Sequence, residues 1–187
     1  MVNKIILASQ SPRRKQLLEW AEIDFDIMGS DSDESFPHGL TFEEVAIFIA
    51  RNKAKAVLIK TQTTIPVLAA DTIVVCDKEI LGKPTDREDA IRILRKLSGK
   101  EHQVITGVVI LFNGKEISFA DKTNVNFNTL TDQQIVFYVD NYKPYDKAGA
   151  YAIQEWIGVI GIKYINGDFY NVMGLPVSRV VRELSLL

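Results

Sequence analysis

The stretch Val67-Leu68-Ala69-Ala70-Asp71-Thr72-Ile73-Val74-Val75 is apolar everywhere except at Asp71-Thr72. A run this short and this rich in β-branched residues reads as a strand covered on both faces, the central strand of a sheet flanked by helices. Upstream, Lys4 to Ala8 is a second short apolar run that leaves into Ser9-Gln10-Ser11-Pro12. Ser11 is a natural N-cap with Pro12 at the first helical position, and Leu17, Leu18 and Ala21 follow at helical spacing. Phe25 to Met28 reads as another strand. Thr41 with Glu44 three residues later makes a capping box, opening a long helix to about Lys60 with Val45, Ala46, Ile49 and Val57 inward. Downstream, Thr85 or Asp86 caps a helix that buries Ala90, Ile91, Leu94 and Leu97 and is stopped by Gly99.

The second half is richer in strands. Val104 to Phe112, Asn113-Gly114, then Glu116 onward reads as a tight hairpin. Thr123, Val125 and Phe127 alternate with polar partners, as in a half-buried strand. Thr131 with Gln134 is a second capping box, before a helix to about Asn141. Asn166-Gly167 reads as another hairpin turn, and Pro176 as the start of a terminal helix. The expected fold class is α/β, a mixed sheet with flanking helices drawn into two lobes.

Composition narrows the function. The chain has 187 residues, 47% hydrophobic and 25% charged, the balance of an ordinary globular protein with one generous domain or two lobes on a shared core. Lys+Arg 22 against Asp+Glu 24 gives a net charge of -2, so no global positive field holds nucleic acid. A local basic patch is still allowed. The single cysteine, Cys76, excludes an intrachain disulfide framework and a cysteine-rich zinc site, and fits a reducing cytoplasm. His38 and His102 are too few for a His-based metal cage. No apolar run reaches bilayer length, and the first residues do not read as a signal peptide. A cytoplasmic protein is expected, with no repeat or linker to mark a domain cut.

Four features carry candidate chemistry. In Ser9-Gln10-Ser11-Pro12-Arg13-Arg14 a helix begins with two arginines, although its positive end prefers acidic residues. A bound anion would offset that cost; backbone N–H groups, the Ser9 and Ser11 hydroxyls and two guanidinium forks make a polyphosphate receptor. A solvated basic turn is the plain alternative. Asp71 in a buried strand must be paired, bind a metal or be functional. The acidic loop Asp31-Ser32-Asp33-Glu34 could join Asp71 around magnesium, which takes oxygen ligands and keeps several waters; a solvated turn is the alternative. Lys53 lies near the apolar face of the long helix, and Lys83 is aimed by the flanking Gly82 and Pro84. Gln154, after the small residues of Ala148-Gly149-Ala150, could read a base edge or cap a turn.

Taken in order, Leu7-Ala8-Ser9, Ser11-Pro12-Arg13-Arg14, Asp33-Glu34-Ser35, Lys53-Ala54, Ala70-Asp71-Thr72, Gly82-Lys83-Pro84, Leu97-Ser98-Gly99, Asp146-Lys147-Ala148-Gly149-Ala150-Tyr151 and Gly174-Leu175-Pro176 closely resemble the Maf family of nucleotide pyrophosphatases. The resemblance runs nearly end to end. It implies one domain over residues 1–187, two lobes around a deep cleft, and an architecture related to inosine triphosphate pyrophosphatase. It also implies hydrolysis of a nucleoside triphosphate to the monophosphate and pyrophosphate with a divalent metal, magnesium first and manganese second. A sister branch preferring 7-methyl-GTP typically carries an aromatic at Arg13, Gln at Thr72 and Glu at Gln154. The residues here look like the dTTP/UTP branch, with modified pyrimidines as further substrates. Ala152 departs from the Gly usual among relatives and would tighten the pocket wall.

On this reading Ser9, Arg13, Arg14, Thr72 and Gln154 bind or select the substrate. Arg13, Arg14, Lys53 and Lys83, with the helix start at Ser11, neutralise its phosphates, and Lys53 and Lys83 are catalytic residues beside Asp71. Glu34, Asp71 or both hold the metal, and Asp71 orients or deprotonates the water that attacks the α-phosphorus, as its proton acceptor. The expected partner is the nucleotide alone, without membrane or stable nucleic-acid complex, and a homodimer is compatible with related folds. The rival expectation is a non-catalytic nucleotide- or nucleic-acid-binding regulator of septum formation and cell division. A P-loop is ruled out, because no Gly-x-x-x-x-Gly-Lys-Ser/Thr occurs.

Overall fold

The computed structural model describes residues 4–30 and 32–187. Asp31, part of the acidic loop, lies outside the described residues. The first half alternates β1 (Ile5–Leu7), α1 (Pro12–Trp20), β2 (Phe25–Ile27), α2 (Phe42–Thr61) and β3 (Val67–Cys76). β4 (Glu79–Leu81), α3 (Arg87–Leu97), β5 (Glu101–Phe112), β6 (Lys115–Phe127) and α4 (Asp132–Tyr142) come next. A 3-10 turn at Ala148–Ala150 precedes α5 (Trp156–Gly161), β7 (Ile162–Asn166), α6 (Phe169–Met173) and α7 (Val177–Ser185).

The strands form a seven-stranded mixed sheet in the order β2-β1-β3-β5-β6-β7, with β4 paired to β3. β1 is parallel to β2 and β3, whereas β4 runs antiparallel to β3 and β7 to β6. The apolar run that announced a central strand is β3, buried at every position except Thr72. Asp71-Thr72 does not interrupt it. The caps form as their chemistry demands: Ser11 accepts from the Arg14 amide, Thr41 and Glu44 close a capping box, Asp86 caps α3, and Thr131 with Gln134 closes the second box.

One turn differs from expectation. Asn166-Gly167 leads from β7 into α6 rather than into a partner strand. The Asp168 carboxylate accepts the Tyr170 amide at 2.8 Å, and its carbonyl accepts the Thr123 hydroxyl at 3.0 Å, so the chain is turned into a helix. An Asn-Gly pair specifies a bend, and the polar residue after it decides between strand and helix. β4, α5 and α6 are short elements that no sequence pattern marked.

The chain divides into two compact units. The first takes the residues up to Thr72, Thr106–Asp121 and Gly174–Leu187; the second takes Ile73–Ile105 and Lys122–Met173. In the first unit Ile6, Ala8, Ala50, Ala54, Val57, Val67, Ala69, Val109 and Leu111 form a buried cluster in which α2 packs on the sheet. The approach is close enough that a Cβ on Gly107 would stand 2.3 Å from the Ala46 carbonyl carbon, so only glycine fits there.

In the second unit His102, Phe127 and Tyr151 meet edge to face, and His102 Nε2 bonds the Tyr151 hydroxyl at 2.8 Å. Burial pushes the His102 imidazole down to about 4 from an ordinary value of 6.5. The native state therefore disfavours the imidazolium that the unfolded chain accepts. This part of the stability is complete above pH 6.5 and is lost as the pH falls toward 4. The shift amounts to about 3 kcal/mol at 1.36 kcal/mol per unit. Denaturant titrations between pH 7 and pH 4 should show this fall in the native protein and a shallower one in His102→Gln. Equal slopes would trace the acid sensitivity elsewhere.

Candidate active site

The site in the first unit begins where β1 ends. Ser9 Oγ accepts the Ser11 amide at 3.2 Å, and Ser11 Oγ accepts the Arg14 amide at 3.4 Å. These bonds, with Pro12 at the first position, start α1 and lift Arg13 and Arg14 from its opening turn. The two arginines then part. Arg13 is half-buried, whereas Arg14 is buried with Leu17 and Leu18 on the inner face of α1. Arg14 Nε donates to the Gly174 carbonyl at 2.8 Å, Nη1 to Ser9 Oγ at 3.2 Å, and Nη2 to Thr72 Oγ1 at 3.0 Å. Thr72 Oγ1 in turn lies 2.9 Å from Thr106 Oγ1.

Sequence reasoning treats the arginines as twin forks for phosphate. The structure gives Arg14 three internal acceptors, one for each nitrogen, leaving Arg13 the more accessible of the two. A sequence signal for this exists: Arg14 stands three and four residues before Leu17 and Leu18, on the stripe that faces the core. Burial lowers the Arg14 guanidinium from its ordinary value; the charges of Asp71 and Glu34 draw it back up, and Arg13 adds to the depression. Five charged groups from four stretches of sequence thus share one electrostatic neighbourhood once Lys53 is added.

Lys53, from α2, places Nζ 2.6 Å from Asp71 Oδ1 and 2.7 Å from Glu34 Oε1. The Lys53 and Asp71 side chains are 12% and 13% exposed, and that of Glu34 is 50% exposed, so the bridge runs from the strand outward to the acidic loop. Asp71 answers the demand that a carboxylate in a buried strand be paired. Asp33, beside Glu34, takes the amide and hydroxyl of Ser35 at 2.9 and 2.5 Å, which hold its carboxyl below the usual carboxylate range. These bonds build the loop.

Among the described residues no group of three or more His, Cys, Asp and Glu converges. Glu34 and Asp71 nonetheless offer hard oxygen donors that already share one cation. Two carboxylates suit an ion of the magnesium type, which completes its shell with water and phosphate oxygens and does not need an all-protein cage.

In the second unit Lys83 is exposed in the turn after β4. That turn is held by the Gly82 carbonyl, which accepts the Gly149 amide at 3.1 Å. Gly149 has φ of 72°, and a Cβ there would meet Val74 at 2.9 Å, so the Asp146–Tyr151 loop needs glycine to reach this bond. Gln154 is exposed on the turn before α5, and Ala152 is buried with its amide on Tyr138 Oη at 3.2 Å. Sequence reasoning gave no role to Thr106, the Gly174 carbonyl, Tyr138, Lys147 or Glu155. A hydroxyl inside the apolar Val104 to Phe112 run was the available sign for Thr106, since it must find a partner.

The sequence profile of the Maf-like protein family matches residues 4–187. The chain is 51% identical to a dTTP/UTP pyrophosphatase from Cytophaga hutchinsonii, over 96% of this chain and 82% of that one. It is 49% identical to a dTTP/UTP pyrophosphatase from Parabacteroides distasonis, over 97% of this chain and 94% of that one. Among solved structures, a HAM1 protein from Coxiella burnetii superposes with a TM-score of 0.52 at 16% identity, covering 98% and 99% of the two chains. That likeness concerns the fold. No helix among the described residues is long and apolar enough to cross a membrane.

Proposed function

The chain belongs to the Maf family, and from that premise we propose that it hydrolyses dTTP and UTP, with modified pyrimidine analogues, to the monophosphate and pyrophosphate. The single observation that carries the reading is Lys53 bridging Asp71 and Glu34 in the electrostatic neighbourhood of Arg13 and Arg14. A binding-only regulator of division would explain the arginines but would not require a nearly buried carboxylate held at one oxygen.

The triphosphate brings about four negative charges. Arg13, Lys53 and Lys83 are assigned to them, while Arg14 fixes the Ser9 loop and the start of α1 in the pose that receives them. Lys53 holds Asp71 by Oδ1, so Oδ2 is the atom assigned to the attacking water. The water oxygen bonds to the α-phosphorus, its proton passes to Asp71, and the bond to the bridging oxygen breaks with pyrophosphate leaving. Glu34 and Asp71 would hold a divalent cation, magnesium or manganese, which when bound neutralises phosphate charge and polarises a phosphoryl oxygen. Arg13, Thr72 and Gln154 are assigned to base selection. The Gln154 amide can donate to a uracil or thymine carbonyl and accept from the ring N–H. We read residues 1–187 as one catalytic domain, and the lone, buried Cys76 supports work in a reducing cytoplasm.

Incubation with dTTP or UTP, magnesium and 18O-water tests this. One pyrophosphate should form per monophosphate, with the label in the monophosphate. Label in pyrophosphate would move the attack to the β-phosphorus. Nucleotide binding without turnover under any divalent ion would leave the regulator reading in its place.

A further inference from the structure

The turn that carries Gln154 is held by a side-chain network with no part in the chemistry above. Ala152, Ile153, Gln154 and Glu155 form a turn closed by the Glu155 amide on the Ala152 carbonyl at 3.1 Å. Ile153 is buried and Gln154 is exposed, so the turn is anchored on one side and presents the amide on the other. Tyr138 reaches this turn from α4. Its hydroxyl accepts the Ala152 amide at 3.2 Å and donates to the Glu155 carboxylate, so a single oxygen grips the first and last residues of the turn. The other Glu155 oxygen lies 3.5 Å from Lys147 Nζ, which also bonds Asp146 Oδ1 at 2.7 Å.

The grip comes from a rigid base. Tyr138 is fully buried, and its ring stacks on Tyr142 with centroids 4.9 Å apart. Lys147 is buried as well, an expensive location for an ammonium unless its partners are fixed. One backbone bond closes the turn, and the Glu155 carbonyl ties its end to α5 by accepting the Gly158 and Val159 amides at 2.9 and 3.3 Å. The start of the turn, on the side of Ala152, depends on the side-chain grip, and two-point recognition of a planar base tolerates little displacement.

We infer that Tyr138 and Glu155, with Lys147 behind them, are positioning residues for base selection: they clamp the Ala152–Glu155 turn so that Gln154 presents its amide in one pose. The inference rests on the assignment of Gln154 to the base. It deepens that assignment by naming the discriminated feature, the ring N–H that uracil and thymine carry and cytosine lacks.

The readout is the ratio of kcat/KM for UTP to that for CTP. Tyr138→Phe keeps the ring and removes only the hydroxyl. It should lower the ratio about tenfold, the net worth of one well-placed hydrogen bond, mostly through a higher KM for UTP with kcat changed less than about twofold. Glu155→Ala, at a partly exposed position, should act in the same direction and guards against a folding defect in the first variant. In a Gln154→Ala background Tyr138→Phe should change the ratio no further. If Gln154→Ala collapses the ratio while Tyr138→Phe and Glu155→Ala weaken UTP and CTP equally, the clamp is only structural and the inference fails alone. If Gln154→Ala leaves the ratio intact, the base assignment itself fails and takes the clamp with it.

Discussion

Asp71→Asn should lower kcat for UTP by about a thousandfold while nucleotide affinity stays within a few fold, because general-base removal costs about 10²–10⁴ in rate. The substitution conserves shape. An amide oxygen at the Oδ1 position can still accept from Lys53, now 2.6 Å away, and Lys53 keeps its second partner, Glu34, at 2.7 Å. The scaffold has little reason to move: β3 is fixed by the flanking strands, and Asp71 is followed by Thr72, whose hydroxyl is tied to Arg14 and Thr106. What disappears is one negative charge, the site that accepts the water proton, and one of the two carboxylates assigned to the divalent cation, so the assays are run at saturating magnesium. A lost carboxylate also makes the neighbourhood more positive, which favours the triphosphate in the ground state, so KM should hold or fall while kcat drops. Single-turnover rates together with calorimetric binding of UTP separate the two effects. Turnover near the native rate would remove Asp71 as the base, and a matching loss of affinity would make it a binding residue.

The parts of this molecule that were legible in sequence are those written in neighbouring residues. Ser11-Pro12, Thr41 with Glu44 and Thr131 with Gln134 settle where helices begin because a cap needs only three residues to close its bonds. The Val67 to Val75 run marks the central strand because burial on both faces leaves no room for polar alternation. Site residues were legible as candidates, since Asp71 and Arg13-Arg14 break the local rules of strand and helix start. Their partners were not. Arg14 meets Gly174 across 160 residues and Thr72 across 58, and Thr72 meets Thr106 across 34. Such pairings are products of the sheet order, and no local pattern encodes them. The same holds for Tyr138, whose aromatic ring reads as ordinary core until its hydroxyl is found on Ala152 and Glu155. Asn166-Gly167 shows the converse: a strong local signal gave the bend, and Asp168 chose the next element.

Arg14→Lys is the variant in which the buried fork can be separated from its charge. A guanidinium serves three acceptors in fixed directions, here Gly174, Ser9 and Thr72 at 2.8, 3.2 and 3.0 Å. An ammonium on a flexible stem keeps the positive charge and cannot span the same three points. At least one buried acceptor loses its donor, which costs about 1–3 kcal/mol. Urea unfolding should therefore show a stability loss of about 2 kcal/mol. The Ser9 loop would also lose its tie to β3 and to the chain entering α7, and the anion site at the start of α1 would lose its fixed geometry. Since misplacement of about 1 Å can cost 10²-fold, kcat/KM for UTP should fall about a hundredfold. The pattern of the two losses decides the role. A hundredfold loss of activity with native stability would mean that Arg14 turns out of its acceptors to grip phosphate directly. A stability loss with native kcat/KM would confine it to the fold. Loss of both, with Arg13→Ala weakening UTP binding but sparing stability, is the result that makes Arg14 the residue that builds the receptor and Arg13 the one that uses it.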